Sequence, residues 1–188
     1  MEILSAHVAQ TRPRLGDVAG NLREIQRMAG EARAAGAQIV LFPELALTGY
    51  ALQDAVSAVA LRADGPELAG IAERSADVAL VIGFVEEGGD GAFYNSVLVA
   101  MNGRVTAIHR KRHLPTYGLF DEGRFFKPGT DVCVVELAGW RLGILICEEA
   151  WYPRTVDELI AGGAEALLIP ANGPGRGAGG GARWQSQD

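Results

Sequence analysis

Apolar residues in this chain fall into short runs, separated in the first half by stretches with helical spacing. Residues 3–10 have the composition of a half-buried strand, and Pro13 in the loop 11–16 would interrupt any ladder. From Asp17, placed as an N-cap, Val18, Leu22, Ile25, Ala29 and Ala32 share one helix face, and Gly36 is positioned to stop that helix. Residues 38–42 form a continuous apolar run between Gly36 and Pro43, the pattern of a strand covered on both faces, and Glu44 emerges at its end. Helical spacing over 66–75 and another buried strand over 78–85 follow.

After Gly91 the pattern becomes strand after strand. Residues 93–101 and 104–111 flank Asn102-Gly103, a strong hairpin signal, and 132–137 and 140–147 form a second pair around Ala138-Gly139. A helix over 155–161 leads into a strand over 166–169. The pattern predicts an α/β domain, a mixed sheet with helices packed outside, and no solenoid repeat.

Composition narrows the class. With 188 residues, 48% hydrophobic and 21% charged, one domain with a substantial core is expected. The net charge of -6, from 23 acidic and 17 basic residues without a long basic run, argues against a nucleic-acid partner. No apolar run approaches the roughly 18–20 residues that cross a bilayer, and Met1-Glu2-Ile3-Leu4 does not open a secretory signal, so a soluble, cytoplasmic protein with no membrane partner is expected. Two cysteines, Cys133 and Cys147, lack the paired spacing of a zinc site and are expected as free thiols. From Gly173 the chain is dominated by glycine, so the domain is expected to span 1–174 and residues 175–188 to form a disordered tail.

Four residues invite a chemical reading, though each alone is ordinary. Cys147 lies where the apolar run 142–146 meets Glu148-Glu149, whereas Cys133 sits inside its strand as a small hydrophobe. Glu44 alone reads as a solvated loop carboxylate, and Lys111, within His109-Arg110-Lys111-Arg112-His113, as part of a solvated basic face. Glu122 in Phe120-Asp121-Glu122-Gly123-Arg124 is equally plain.

Their surroundings change that. The stretch Phe42-Pro43-Glu44-Leu45, the stretch running from Lys111 through Leu114-Pro115-Thr116-Tyr117-Gly118 to Glu122, and Ile146-Cys147-Glu148-Glu149-Ala150-Trp151 occur in this order. Together they resemble the nitrilase superfamily of carbon–nitrogen hydrolases, and within it the glutaminase domains of glutamine-dependent NAD synthetases, over residues 3–174.

The resemblance implies a four-layer αββα sandwich, incomplete at its C-terminus because family members continue past the loop 170–174 with further strands. It implies Cys147 as nucleophile, Glu44 as general base, Lys111 as the cation that stabilises an oxyanion, and Glu122 as the group that orients Lys111 and Glu44. With less weight, Tyr117 and Glu148 match positions that contact the substrate, and the loop 170–174 one that lines the pocket. No metal or organic cofactor is implied.

The chemistry supports these residue types independently. A thiol of pKa near about 8.5 is only a few per cent thiolate at neutral pH and gains from a base and a cation nearby. Lys111 and the Glu148 N–H would each contribute about 3 kcal/mol as oxyanion donors. The implied reaction cleaves a small, glutamine-like amide through a thioester and releases ammonia. Two alternatives stand beside it: a glutaminase component that passes ammonia to a separate NAD synthetase partner, and a non-catalytic, truncated fragment of such an enzyme that retains the motifs without forming a closed pocket. Association into a homo-oligomer is a further expectation, since strand 166–169 would offer an exposed edge.

Overall fold

The computed structural model describes residues 3–173, so the expected glycine-rich tail lies outside the described residues. In chain order the elements are β1 (Ala6–Val8), α1 (Val18–Ala34), β2 (Ile39–Leu41), α2 (Val56–Val59), β3 (Leu61–Arg62), α3 (Pro66–Ala72), β4 (Ala79–Glu87), β5 (Phe93–Met101), β6 (Arg104–Arg110), α4 (Glu122–Phe125), β7 (Cys133–Leu137), β8 (Trp140–Ile144), α5 (Pro153–Ala161) and β9 (Ala166–Leu168).

The strands form two sheets where pattern alone gave one. The first has the order β1-β2-β4-β5-β6, with β3 also paired to β4; β1, β2 and β4 run parallel, while β4, β5 and β6 form an antiparallel meander. The second has the order β7-β8-β9, an antiparallel hairpin followed by a parallel strand. Between β6 and β7 the chain passes Pro115, Gly118, Gly123, Pro128 and Gly129, residues that interrupt a ladder, and the following strands start a new sheet.

Alternate side chains of the first sheet serve two different cores. Val40, Leu80, Ile82, Phe84, Leu98 and Ala100 face α1 and α3, packing with Ile25, Ala29, Leu68 and Ile71. Their neighbours Ile39, Ala79, Val81, Val97 and Val99 face the second sheet and meet Val135, Leu142, Ile144 and Ile146. Both faces are covered, which is why these strands read as continuous apolar runs. On the outer side of the second sheet, a Cβ at Gly143 would stand 3.2 Å from Leu159 of α5 and 3.0 Å from Leu167. The architecture is therefore the four-layer αββα sandwich: α1 and α3, the first sheet, the second sheet, and α5.

Local chemistry sets the joints. Asp17 caps α1 by accepting a hydrogen bond from the Gly20 N–H at 2.8 Å. The apolar face of α1 includes a polar member that periodicity passed over: Asn21 is buried and donates to the carbonyls of Arg14 (2.8 Å) and Leu47 (3.0 Å), tying the helix to the turn after β2. Asn102 and Gly103 both take positive φ (54° and 76°), as do Ala138 and Gly139 (50° and 78°), the backbone that two-residue hairpin turns require. Among the described residues, no helix is long and apolar enough to cross a membrane.

Candidate functional site

Three segments leaving the two sheets meet at one end of the inter-sheet layer. Glu44 stands in the turn after β2, where Leu45 takes φ 50° and the Leu47 N–H donates to the Gly83 carbonyl at 3.0 Å. This turn lies directly on β4: a Cβ at Gly83 would sit 2.2 Å from the Leu45 nitrogen and 2.8 Å from the Glu44 carbonyl carbon. Only glycine at that position lets the Glu44 turn approach so closely.

Lys111 follows β6 directly. Its N–H donates to the Asn95 carbonyl at 2.8 Å, and its own carbonyl accepts from the Gly129 N–H at 2.8 Å. The strand pleat places Lys111 and His109 on the face that looks toward the second sheet, while Arg110 turns to the opposite face and binds Glu86 at 2.5 Å. Glu122 opens α4, its N–H donating to the Pro115 carbonyl at 3.0 Å.

Cys147 ends the segment after β8 and begins a 3-10 turn over Cys147–Trp151, with φ 46° and its N–H bound to the Pro170 carbonyl at 3.0 Å. A non-glycine residue in the left-handed region costs about 1–3 kcal/mol and is held there by its surroundings, a feature of many reactive positions.

Within this cluster the Lys111 ammonium bridges two carboxylates, with Nζ 2.5 Å from Oε1 of Glu44 and 2.7 Å from Oε1 of Glu122. The three side chains are 0%, 1% and 4% exposed for Lys111, Glu44 and Glu122, which overturns the solvated reading each has in isolation. Asn95 donates to the same Glu44 oxygen at 2.8 Å, and Oε2 of Glu44, like Oε2 of Glu122, is buried without a hydrogen-bond donor. Tyr50 donates to Oε1 of Glu122.

Two carboxylates facing one ammonium shape the titration of the site. Burial pulls the Lys111 pKa down, but the charges of Glu44 and Glu122 outweigh it and the net shift is upward, so the ammonium stays charged. Glu122 moves upward, chiefly through burial, with Lys111 opposing and Glu44 adding. The Cys147 thiol is pushed up to about 11, first by burial and then by the Glu44 charge, with Lys111 and the Asn172 N–H pulling the other way. At neutral pH the thiol is thus protonated and needs a base to become nucleophilic.

The expected substrate-contacting pair also comes together: Tyr117 Oη donates to Glu148 at 2.8 Å, at the exposed rim next to Cys147. That bond, followed by burial, pushes the Tyr117 pKa up to about 12. Cys133, by contrast, lies in β7 away from any matched base, its pKa pushed up to about 11 by burial alone. A cavity of about 250 Å³ is lined by Glu122 together with Tyr50, Asp54, Leu119 and Arg124, among others. Among the described residues, no group of three His, Cys, Asp or Glu side chains is arranged to hold a metal ion.

Sequence reasoning missed Asn95, Tyr50, His109 and Glu149. A signal for Asn95 existed: Asn95-Ser96 is a polar interruption in the otherwise apolar strand 93–101.

A four-layer sandwich carrying a cysteine, a glutamate and a lysine at its sheet ends is the architecture of the carbon–nitrogen hydrolases. The carbon-nitrogen hydrolase family model matches residues 5–187, and the chain belongs to this family. It is 36% identical over 172 residues to the glutamine-dependent NAD(+) synthetase of Thermotoga maritima, a match covering 90% of this chain and 30% of that enzyme. Among solved structures, it superposes on the glutamine-dependent NAD+ synthetase of Acinetobacter baumannii with a TM-score of 0.82 and 31% identity, covering 91% of this chain and 32% of the other. It also superposes on an amidase from Nesterenkonia sp. AN1 with a TM-score of 0.77 and 29% identity, covering 90% of this chain and 67% of the amidase. That amidase was captured after Michael addition of acrylamide at its active-site cysteine. The chain thus spans about a third of the length of the synthetases it matches.

Proposed function

We propose that this chain hydrolyses a small, glutamine-like amide through a Cys147 thioester, releasing ammonia. The observation that carries the reading is the buried Glu44–Lys111–Glu122 cluster beside a cysteine held at positive φ on a strand end.

Oε2 of Glu44 takes the thiol proton as Sγ attacks the amide carbon, and the C=O electron pair moves onto oxygen. Lys111 Nζ and the Glu148 N–H stabilise that oxyanion. The tetrahedral species collapses as Glu44 returns its proton to the nitrogen; the C–N bond breaks, ammonia leaves and the thioester remains. Water, deprotonated by Glu44, then attacks the thioester; the acid departs and Cys147 regains a proton. Lys111 stays charged, favoured by both carboxylates at rest and by Glu122 while Glu44 holds the proton. Glu148, joined to Tyr117 at the rim, is suited to receive a substrate ammonium group.

The test is ammonia release from glutamine and from a panel of small aliphatic amides by the purified chain, with Cys147→Ala as control and mass spectrometry of the acylated protein. Turnover with a Cys147-linked acyl adduct supports the reading; a folded chain that releases no ammonia from any of them refutes it and leaves the non-catalytic alternative.

A second reading is favoured by the kinship to glutamine-dependent NAD synthetases. Here the chain acts as a glutaminase that hands ammonia to a synthetase. Stimulation of glutamine hydrolysis by an added ammonia-dependent synthetase would distinguish it from a free-standing amidase.

A further inference from the structure

Glu149 is a fully buried carboxylate that the reaction above does not use. Its Oε2 accepts from the Ile146 N–H at 2.6 Å and lies 2.8 Å from His109 Nε2, which donates in the tautomer protonated at that nitrogen. Its Oε1 accepts from the Arg112 N–H at 2.9 Å. One side chain therefore grips the residue before Cys147 together with the residue two before and the residue one after Lys111. Its own N–H closes the turn by donating to the Ile146 carbonyl at 3.1 Å.

These two segments come from different sheets. Lys111 directly follows β6 of the first and Cys147 the strand end of the second, and apolar side chains such as Val97, Val99, Leu142 and Ile144 pack between the sheets. Further out the same segments meet again, through Arg112–Glu158 at 2.6 Å and His113–Thr155 at 2.9 Å, but those contacts are only part-buried. The Glu149 carboxylate is a fully buried connection, and its three hydrogen bonds are charge-assisted and directional.

We propose that Glu149, held by His109, is a positioning residue that fixes the distance between the Cys147 nucleophile and the Lys111 cation across the two sheets. The proposal rests on the reading of Cys147 and Lys111 given above. Burial works against ionisation of Glu149, yet the His109 bond and the two N–H bonds outweigh it and keep the carboxylate charged. An amide in its place has one acceptor oxygen where the carboxylate uses two, so Glu149→Gln must lose either the Arg112 bond or the pair to Ile146 and His109, and it sets an NH2 against the donor it abandons. A displacement of about 1 Å at the reacting atoms costs roughly a hundredfold in rate.

The experiment compares Glu149→Gln, His109→Leu and His109→Gln with the parent chain, all assayed well below their melting temperatures. Two readings are taken: amide turnover resolved into kcat and KM, and the rate of Cys147 alkylation by iodoacetamide followed by peptide mass mapping. We expect kcat to fall about a hundredfold in Glu149→Gln with KM changed by less than about threefold. His109→Leu should fall in the same direction, and His109→Gln, which keeps a donor near the Nε2 position, should recover most of that loss. Alkylation should slow at least about tenfold in Glu149→Gln as Lys111 moves from the thiol. His109→Leu and His109→Gln give the comparison even if Glu149→Gln fails to fold.

A purely structural role would lower the melting temperature while the folded fraction kept parental kcat and alkylation rate, and that result would overturn the proposal. The alkylation arm does not depend on the substrate. A parent without amide turnover whose alkylation still responds as expected sinks the functional reading alone; a turning-over parent unaffected by the substitutions sinks this one.

Discussion

Replacing Glu44 by glutamine should move two properties of the site in opposite directions. In the native arrangement Oε1 of Glu44 accepts from Lys111 at 2.5 Å and from Asn95 at 2.8 Å, while Oε2 has no such donor. A glutamine carbonyl can keep both of these bonds, with the amide nitrogen in the place of Oε2. Each bond becomes neutral at the acceptor, a loss of about 1 kcal/mol apiece, but one of two buried like charges also disappears. The opposing effects leave a net change of about 1 kcal/mol, or a melting shift of about 2–4 °C for a chain of this size. In the proposed reaction this group accepts the thiol proton, protonates the departing nitrogen and activates water, so turnover should fall by about 10²–10⁴. The thiol should respond the other way. The Glu44 charge is one cause that holds the Cys147 pKa up at about 11, so in Glu44→Gln the midpoint should fall while Lys111 still favours the thiolate. Each unit of that fall raises the thiolate fraction about tenfold at pH values below it. The assay pairs ammonia release with the pH profile of Cys147 alkylation on the same preparation. A variant whose alkylation midpoint rises, or whose turnover stays within tenfold of the parent, would refute the assignment of Glu44 as the base.

Cys147→Ala should abolish amide hydrolysis and Cys133→Ala largely spare it, because only Cys147 stands beside the Glu44–Lys111 pair; acyl-adduct mapping by mass spectrometry checks both. Lys111→Met should cost turnover and also about 3–5 kcal/mol of stability, since it strands two buried carboxylates. That deficit should be larger near about pH 8 than near about pH 5, because the stranded carboxylates take up protons as the pH falls; chemical denaturation at the two pH values measures it. Gly83→Ala should lower the melting temperature and turnover together, since its Cβ would meet the Leu45 nitrogen at 2.2 Å and push the Glu44 turn off the sheet.

Much of the fold could be read from periodicity because its causes are local. The strand 93–101 and the helix begun by Asp17 are set by side-chain alternation and a cap, and the Asn102-Gly103 turn by residues that tolerate positive φ. The partition into two sheets was not readable in this way. It depends on which side chains face each other across about 10 Å of core, and Ile39 and Val40 look alike in sequence although one meets Val135 and Leu142 while the other meets α1. Short elements such as α2, β3 and α4 were missed because two to four residues carry too little pattern to register.

The site shows a sharper version of the same problem. His109-Arg110-Lys111 reads as a solvated basic run only if its three side chains are taken to share one environment. On a strand they cannot, because successive side chains point to opposite faces. Arg110 goes to the face of Glu86 and Ser96, half-exposed and paired with a buried carboxylate, while His109 and Lys111 go to the inter-sheet face, each finding a buried glutamate there. The pleat, applied to a strand expected over 104–111, therefore already separates the two groups. What it does not supply is the partner: Glu44 is 67 positions from Lys111 and Glu149 is 40 from His109, and nothing local links them. A lysine can be buried at that position only because two carboxylates from other segments arrive with it, so the burial of Lys111 and the assembly of the site are one event.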